Sequence, residues 1–143
     1  METRIVSNNH RFLLGLLRAI ALLDLFALLA VIAPRSWIDV CHQMLGLGRF
    51  PIEPIAGYLA RSTSFWYASY GMLLWFVSFD VEKNSQLITF LAWIMVAQGF
   101  VVVGVDLAEG MPNWWTVLEG PCCIGLGVSV LMAQGPLKSA GET

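Results

Sequence analysis

Charged residues are scarce in this 143-residue chain, and several of those present stand where ionised groups are expensive. Asp24 lies midway along the apolar run Phe12 to Ala33, and Arg61 stands early in Ile55 to Phe79. Asp106 closes the run Leu87 to Leu107, and Glu119 lies early in Trp114 to Ala133. A charged side chain at the centre of a membrane helix costs about 2.5–3.5 kcal/mol on insertion scales, so each is a functional hypothesis by default. A carboxylate as deep as Asp24 has too short a stem to reach water and must be protonated or paired. Counting along the runs puts Gln98 and Tyr67 at similar depth, which predicts an Asp24, Gln98 and Tyr67 hydrogen-bond set serving structure, a proton or a ligand. Nearer the other surface, Arg61 and Glu119 count to nearly equal depth, with Asp106 shallower. One cation between two acids predicts a cluster that either locks helix order or binds a ligand. Arg18, two turns from Arg11, is expected to snorkel to the headgroups.

Catalytic patterns are lacking. His10 and His42 lie outside the apolar runs, no metal-ligand spacing occurs, and no glycine-rich loop follows a strand, so no cofactor is indicated. Cys122 and Cys123 are adjacent and Cys41 is distant, which gives neither a C-x-x-C pair nor ready disulfide geometry. A thiol or lipid-modifying enzyme using Cys122, Cys123 or His42 with Glu119 therefore ranks third among the functional readings. Eight Lys and Arg in a chain of net charge −2 form no basic stripe, which excludes nucleic acid as a partner.

The elements that must position these residues are helices in lipid. The chain is 57% hydrophobic and 13% charged, against about 25% charged for a soluble domain. Its apolar runs are greasy around the whole helix circumference, and about 20 residues at 1.5 Å each cross a ~30 Å core. The expected fold is all-α: a single domain forming a four-helix transmembrane bundle with spans at about 12–33, 55–79, 87–107 and 114–133. The first run lacks a small-residue cleavage site and reads as a retained span. The short breaks at 80–85 and 108–113 make successive helices antiparallel neighbours.

The longer connection from Arg35 to Pro54 carries its own pattern. Ser36 is expected to cap a short interfacial helix, Trp37 to Leu45, with Trp37 at headgroup level and Gly46 or Gly48 ending it. Trp114 and Trp115 are expected to anchor the last span at the same interface. Thr116, Gly120, Cys123 and Gly127 form one stripe of small residues, and Ser64, Ala68 and Gly71 form another, so helix backbones can approach closely there. With the N-terminus inside, Arg4, Arg11, Arg18, Lys83 and Lys138 face the cytoplasm against Arg35, Arg49 and Arg61 outside, which favours both termini cytoplasmic.

Tyr58-Leu-Ala-Arg61-Ser62, Tyr67-Ala68 and Gly71, together with Asp106-Leu-Ala-Glu-Gly110-Met-Pro112, Trp114-Trp115 and Glu119-Gly-Pro121, resemble a group of small uncharacterised bacterial four-span membrane proteins. The resemblance covers roughly the last two thirds of the chain. More distantly the chain is similar to DoxX-like proteins, in size and span count only. The resemblance implies a multi-pass protein of the bacterial inner (cytoplasmic) membrane and brings no activity with it. The leading functional expectation is a non-enzymatic module: an accessory subunit of other membrane proteins or of a homo-oligomer, or a binder of membrane lipid or another small amphiphile. A proton- or solute-coupled transporter comes second. Four spans would require an oligomer for alternating access, and no broken midspan helix is evident.

Overall fold

The structure, a computed structural model, describes the backbone of residues 2–141 and the side chains of residues 9–135. Every regular element among them is helical: α1 (Glu2–Leu25), α2 (Leu28–Ile32), α3 (Arg35–Met44), α4 (Pro54–Val77), α5 (Ser85–Glu109) and α6 (Asn113–Gly141). Three helical stretches are long and apolar enough to cross a membrane: Asn9–Ile32, Ser85–Glu109 and Asn113–Gly135. Large apolar side chains point outward along them, including Leu23, Ile32, Phe90, Phe100, Val117 and Met132. Water would penalise that display and lipid does not. α4 matches these helices in length, and its 24 residues reach about 36 Å. Its centre, Ser62-Thr-Ser-Phe-Trp-Tyr-Ala-Ser-Tyr70, makes it less apolar than the other three.

The chain divides into two compact units. One is Arg18–Phe76; the other combines Met1–Leu17 with Val77–Thr143. In the second unit α5 and α6 form a helical hairpin. Gly110, in the left-handed conformation (φ +68°), caps α5 by donating to the Asp106 carbonyl, and Pro112 precedes the first turn of α6. The small-residue stripe of α6 faces α5. A methyl group on Gly120 would stand 2.8 Å from the Gly99 carbonyl, and one on Gly127 2.8 Å from that of Ala92. Backbone against backbone at this distance admits no Cβ, which is the packing expected of such a stripe. Leu13, Leu17, Ile88, Leu91, Met95 and Val130 are among this unit's buried side chains.

In the Arg18–Phe76 unit, α4 presses on α1 at its own small stripe. Ala68 and Gly71 are buried, and a methyl on Gly71 would meet the Ala21 carbonyl and the Asp24 Cβ, each at 2.8 Å. The first span, expected to be continuous, breaks just beyond this contact. Phe26 N–H is shared between the carbonyls of Leu22 (3.1 Å) and Leu23 (3.2 Å). Ala27 then donates to Asp24, Leu29 to Phe26 and Ala30 to Ala27, all three residues back, before α2 resumes. This is a tightened 3₁₀-like turn with no proline or glycine in it.

The connection after α2 is ordered as expected, with one correction. α3 starts at Arg35 with Pro34 at its N-cap and no side-chain cap, so Ser36 lies inside the helix rather than capping it. Gly46 (φ +72°) and Gly48 (φ +79°) end it in left-handed backbone. Pro54 is the first residue of α4.

Candidate functional site

The residues expected to act together divide between the two units. Asp24, Tyr67 and Arg61 belong to Arg18–Phe76; Gln98, Asp106 and Glu119 belong to the other unit. Each group has its own surroundings.

Asp106 is 5% exposed, and its Oδ2 has no hydrogen-bond partner among the described residues. Its backbone carbonyl takes the N–H groups of Gly110 and Met111 (2.9 Å) where α5 ends. Glu119, half-buried, accepts a hydrogen bond from the Trp115 indole N–H one turn earlier on α6. Trp115 also packs edge-on against Trp114, with ring centroids 5.4 Å apart. Gln98 is half-buried. A polar set that sequence reasoning missed joins the other end of the hairpin. Gln134 is 3% exposed, its Nε2 donates to the Ser85 carbonyl (3.0 Å), and its Oε1 accepts from the Thr89 hydroxyl (2.7 Å). Gln134 continues the seven-residue spacing of Gly120 and Gly127, which was the available signal.

In the other unit, Arg18 lies with its guanidinium 5.6 Å from the Trp75 ring centroid, a cation–π contact. Asp24 is half-buried against Gly71. Arg61 is held by backbone. Its Nε donates to the Val31 carbonyl (3.1 Å) and its Nη2 to that of Ala33 (2.9 Å). These are the last carbonyls of α2, groups that a helix end leaves without partners. Arg61 therefore caps a neighbouring helix, a role that depth counting did not suggest.

A second arginine faces the same place. Arg35 Nη2 donates to the carbonyls of Pro51 (2.6 Å) and Glu53 (2.8 Å), with the Phe50 ring 5.6 Å from Cζ. The loop is clasped further by α3: Asp39 Oδ1 accepts from Phe50 N–H (2.7 Å), Asp39 Oδ2 from Gln43 Nε2 (2.9 Å), and His42 Nδ1 lies 3.0 Å from the Gly48 carbonyl. The Phe50 amide, then Gln43, hold the Asp39 carboxyl below its ordinary 3.8. Trp37, Val40 and Met44 of α3 point outward.

Between the end of α2 and the first turns of α4, Arg35 and Arg61 border an open recess of about 670 Å³. Val31 and Arg35 form one wall, and Gly57, Tyr58, Arg61 and Phe65 line the α4 side. Gly57 is buried, and a methyl on it would lie 3.8 Å from Arg61 Nη1 and 4.0 Å from Arg35 Cζ. Both guanidiniums therefore border one small volume, with apolar and aromatic side chains beside it. Such a lining can hold a molecule with a polar head and an apolar body.

Among the described residues no three His, Cys, Asp or Glu side chains converge as metal ligands, and Cys41, Cys122 and Cys123 are free thiols. The class this fold defines is an all-helical protein with membrane-length apolar helices. No family model, curated protein or solved structure matches the chain, so its chemistry is read from its own geometry.

Proposed function

We propose that this is a four-span protein of the bacterial inner membrane that binds a small amphiphile in the outer half of its helices and catalyses no reaction. The observation that carries the reading is the recess flanked by Val31, Tyr58 and Phe65 with two arginines at its polar end. α4 serves as the fourth span. Its Ser62 and Ser69 hydroxyls donate to the carbonyls of Tyr58 and Phe65 (both 2.8 Å), so part of its polarity is satisfied inside the helix and needs no water. α3 lies in the outer interface with Trp37 and Met44 toward the lipid. Both termini are cytoplasmic on the balance of Lys and Arg, in keeping with the resemblance to small bacterial four-span proteins. An impermeant thiol reagent should then label Glu109→Cys and spare Glu82→Cys in a background freed of the native cysteines.

Native mass spectrometry of the full chain released from mild detergent tests the binding. A retained amphiphile is expected, and Gly57→Leu, which fills the recess, should release it while the helical content holds. A wild-type chain that carries nothing and takes up no added amphiphile would end the reading. Transport is the second reading, favoured by the helix break beside Asp24 and by the Oδ2 of Asp106, which has no hydrogen-bond partner among the described residues. Proton flux in proteoliposomes, lost in Asp24→Asn, would promote it.

A further inference from the structure

Arg61 uses Nε and Nη2 on the Val31 and Ala33 carbonyls, and Arg35 uses Nη2 on those of Pro51 and Glu53. Backbone acceptors thereby fix both side chains before any ligand arrives. Arg61 Nη1 and the Nε and Nη1 of Arg35 have no acceptor among the described residues, and neither guanidinium donates to a carboxylate there. Two like charges set about one small volume repel each other unless an anion stands between them, and a guanidinium's fork matches the oxygens of a phosphate or carboxylate. Gly57 supplies the room, since its missing side chain leaves a point about equally close to both groups.

Building on the amphiphile reading, we propose that the recess takes an oxyanion, the phosphate or carboxylate head of the bound amphiphile, clamped between Arg35 and Arg61 with the chain along Val31 and Phe65. The ligand class is an anionic amphiphile, and an uncharged one of the same shape is rejected. Removing one charged donor should weaken binding about 10- to 100-fold.

The test is calorimetric titration of the full chain in maltoside micelles with three probes: dihexanoyl phosphatidic acid, dihexanoyl glycerol and inorganic phosphate. Because Arg61 also holds α2, the decisive variant is Gly57→Asp, which keeps both arginines and places a tethered carboxylate between them. It should keep its helical circular dichroism and melting temperature and lose phosphatidic acid binding. Arg35→Gln, at an exposed position, provides a second arm and should lose about 10- to 100-fold; it carries the test if Gly57→Asp fails to fold. Phosphatidic acid binding at least about tenfold tighter than both other probes, abolished in Gly57→Asp, is the expected result. Inorganic phosphate binding as tightly would uphold the oxyanion clamp and overturn the amphiphile reading. Equal binding of phosphatidic acid and dihexanoyl glycerol, unchanged in both variants, would overturn the clamp and leave that reading standing. Binding of no probe would remove both.

Discussion

Replacing Arg61 with Met keeps the aliphatic stem and deletes the donors that hold the Val31 and Ala33 carbonyls at 3.1 and 2.9 Å. A hydrogen bond from a charged group contributes about 1.5–3 kcal/mol net, and Arg61 is only half-buried, so solvent screening reduces the pair to about 2–3 kcal/mol together. The loss should appear in two ways. Unfolding by SDS in mixed micelles, followed by tryptophan fluorescence, should shift to lower SDS by that free energy. Hydrogen exchange should accelerate locally in α2 and around Ala33, whose amide donates to Leu29 at 2.9 Å, because this five-residue helix has lost its external cap. Arg61→Lys can reach one carbonyl but not both and should recover about half of the loss. A loss below about 0.5 kcal/mol with unchanged exchange in α2 would refute the capping argument, since surface substitutions without a structural role fall in that range.

Two further outcomes follow from the packing and the clasp. Gly120→Ala should destabilise the α5–α6 hairpin by about 1–3 kcal/mol, because its methyl would meet the Gly99 carbonyl at 2.8 Å; Gly125→Ala on the same helix meets nothing within 4 Å and should be neutral or slightly stabilising in the same SDS titration. The folded Asp39 carboxyl titrates below the ordinary 3.8, so its support of the Phe50 amide is complete above 3.8 and disappears as pH falls through the lowered folded value. Carboxyl NMR shifts should therefore place its titration below 3.8, and the environment of the Phe50 ring should stay constant from pH 5 to 8.

The helices were legible because lipid relaxes the usual demands on a sequence. A membrane helix buries its backbone polar groups in itself, so a long apolar run suffices to locate it, and the expected runs lie within a few residues of α4, α5 and the apolar part of α6. The ends were less legible. α1 reaches back to Glu2 and α6 on to Gly141, because hydropathy reports immersion in lipid and a helix can continue past it. The break at Phe26 and Ala27 was hidden for a different reason. No residue in Leu25-Phe-Ala-Leu28 forbids a helix, and the turn adjoins a tertiary contact, the approach of Gly71 to Ala21 and Asp24. That Asp106 and Glu119 stand on either side of the short break between two helices was legible. The bonding of Arg61 was not. Depth counting compares side chains on unbroken helices, and the acceptors Arg61 found are backbone carbonyls where a helix ends.

That difference bears on whether Arg61 is a structural lock or part of a site, alternatives that a buried ion pair would have made exclusive. A carboxylate partner neutralises a guanidinium and occupies its fork, which leaves little to attract a ligand. Carbonyl partners fix the group while leaving its charge uncompensated. Val31 and Ala33 take two of Arg61's three nitrogens, and the third, Nη1, faces the space above Gly57 that Arg35 also borders. The same hydrogen bonds that cap α2 therefore orient a cation toward the recess, and the positioning is already complete in the free protein. On this argument the structural and binding roles of Arg61 separate experimentally along its nitrogens: changes at the α2 carbonyls act on stability, and changes at Gly57 act on the ligand.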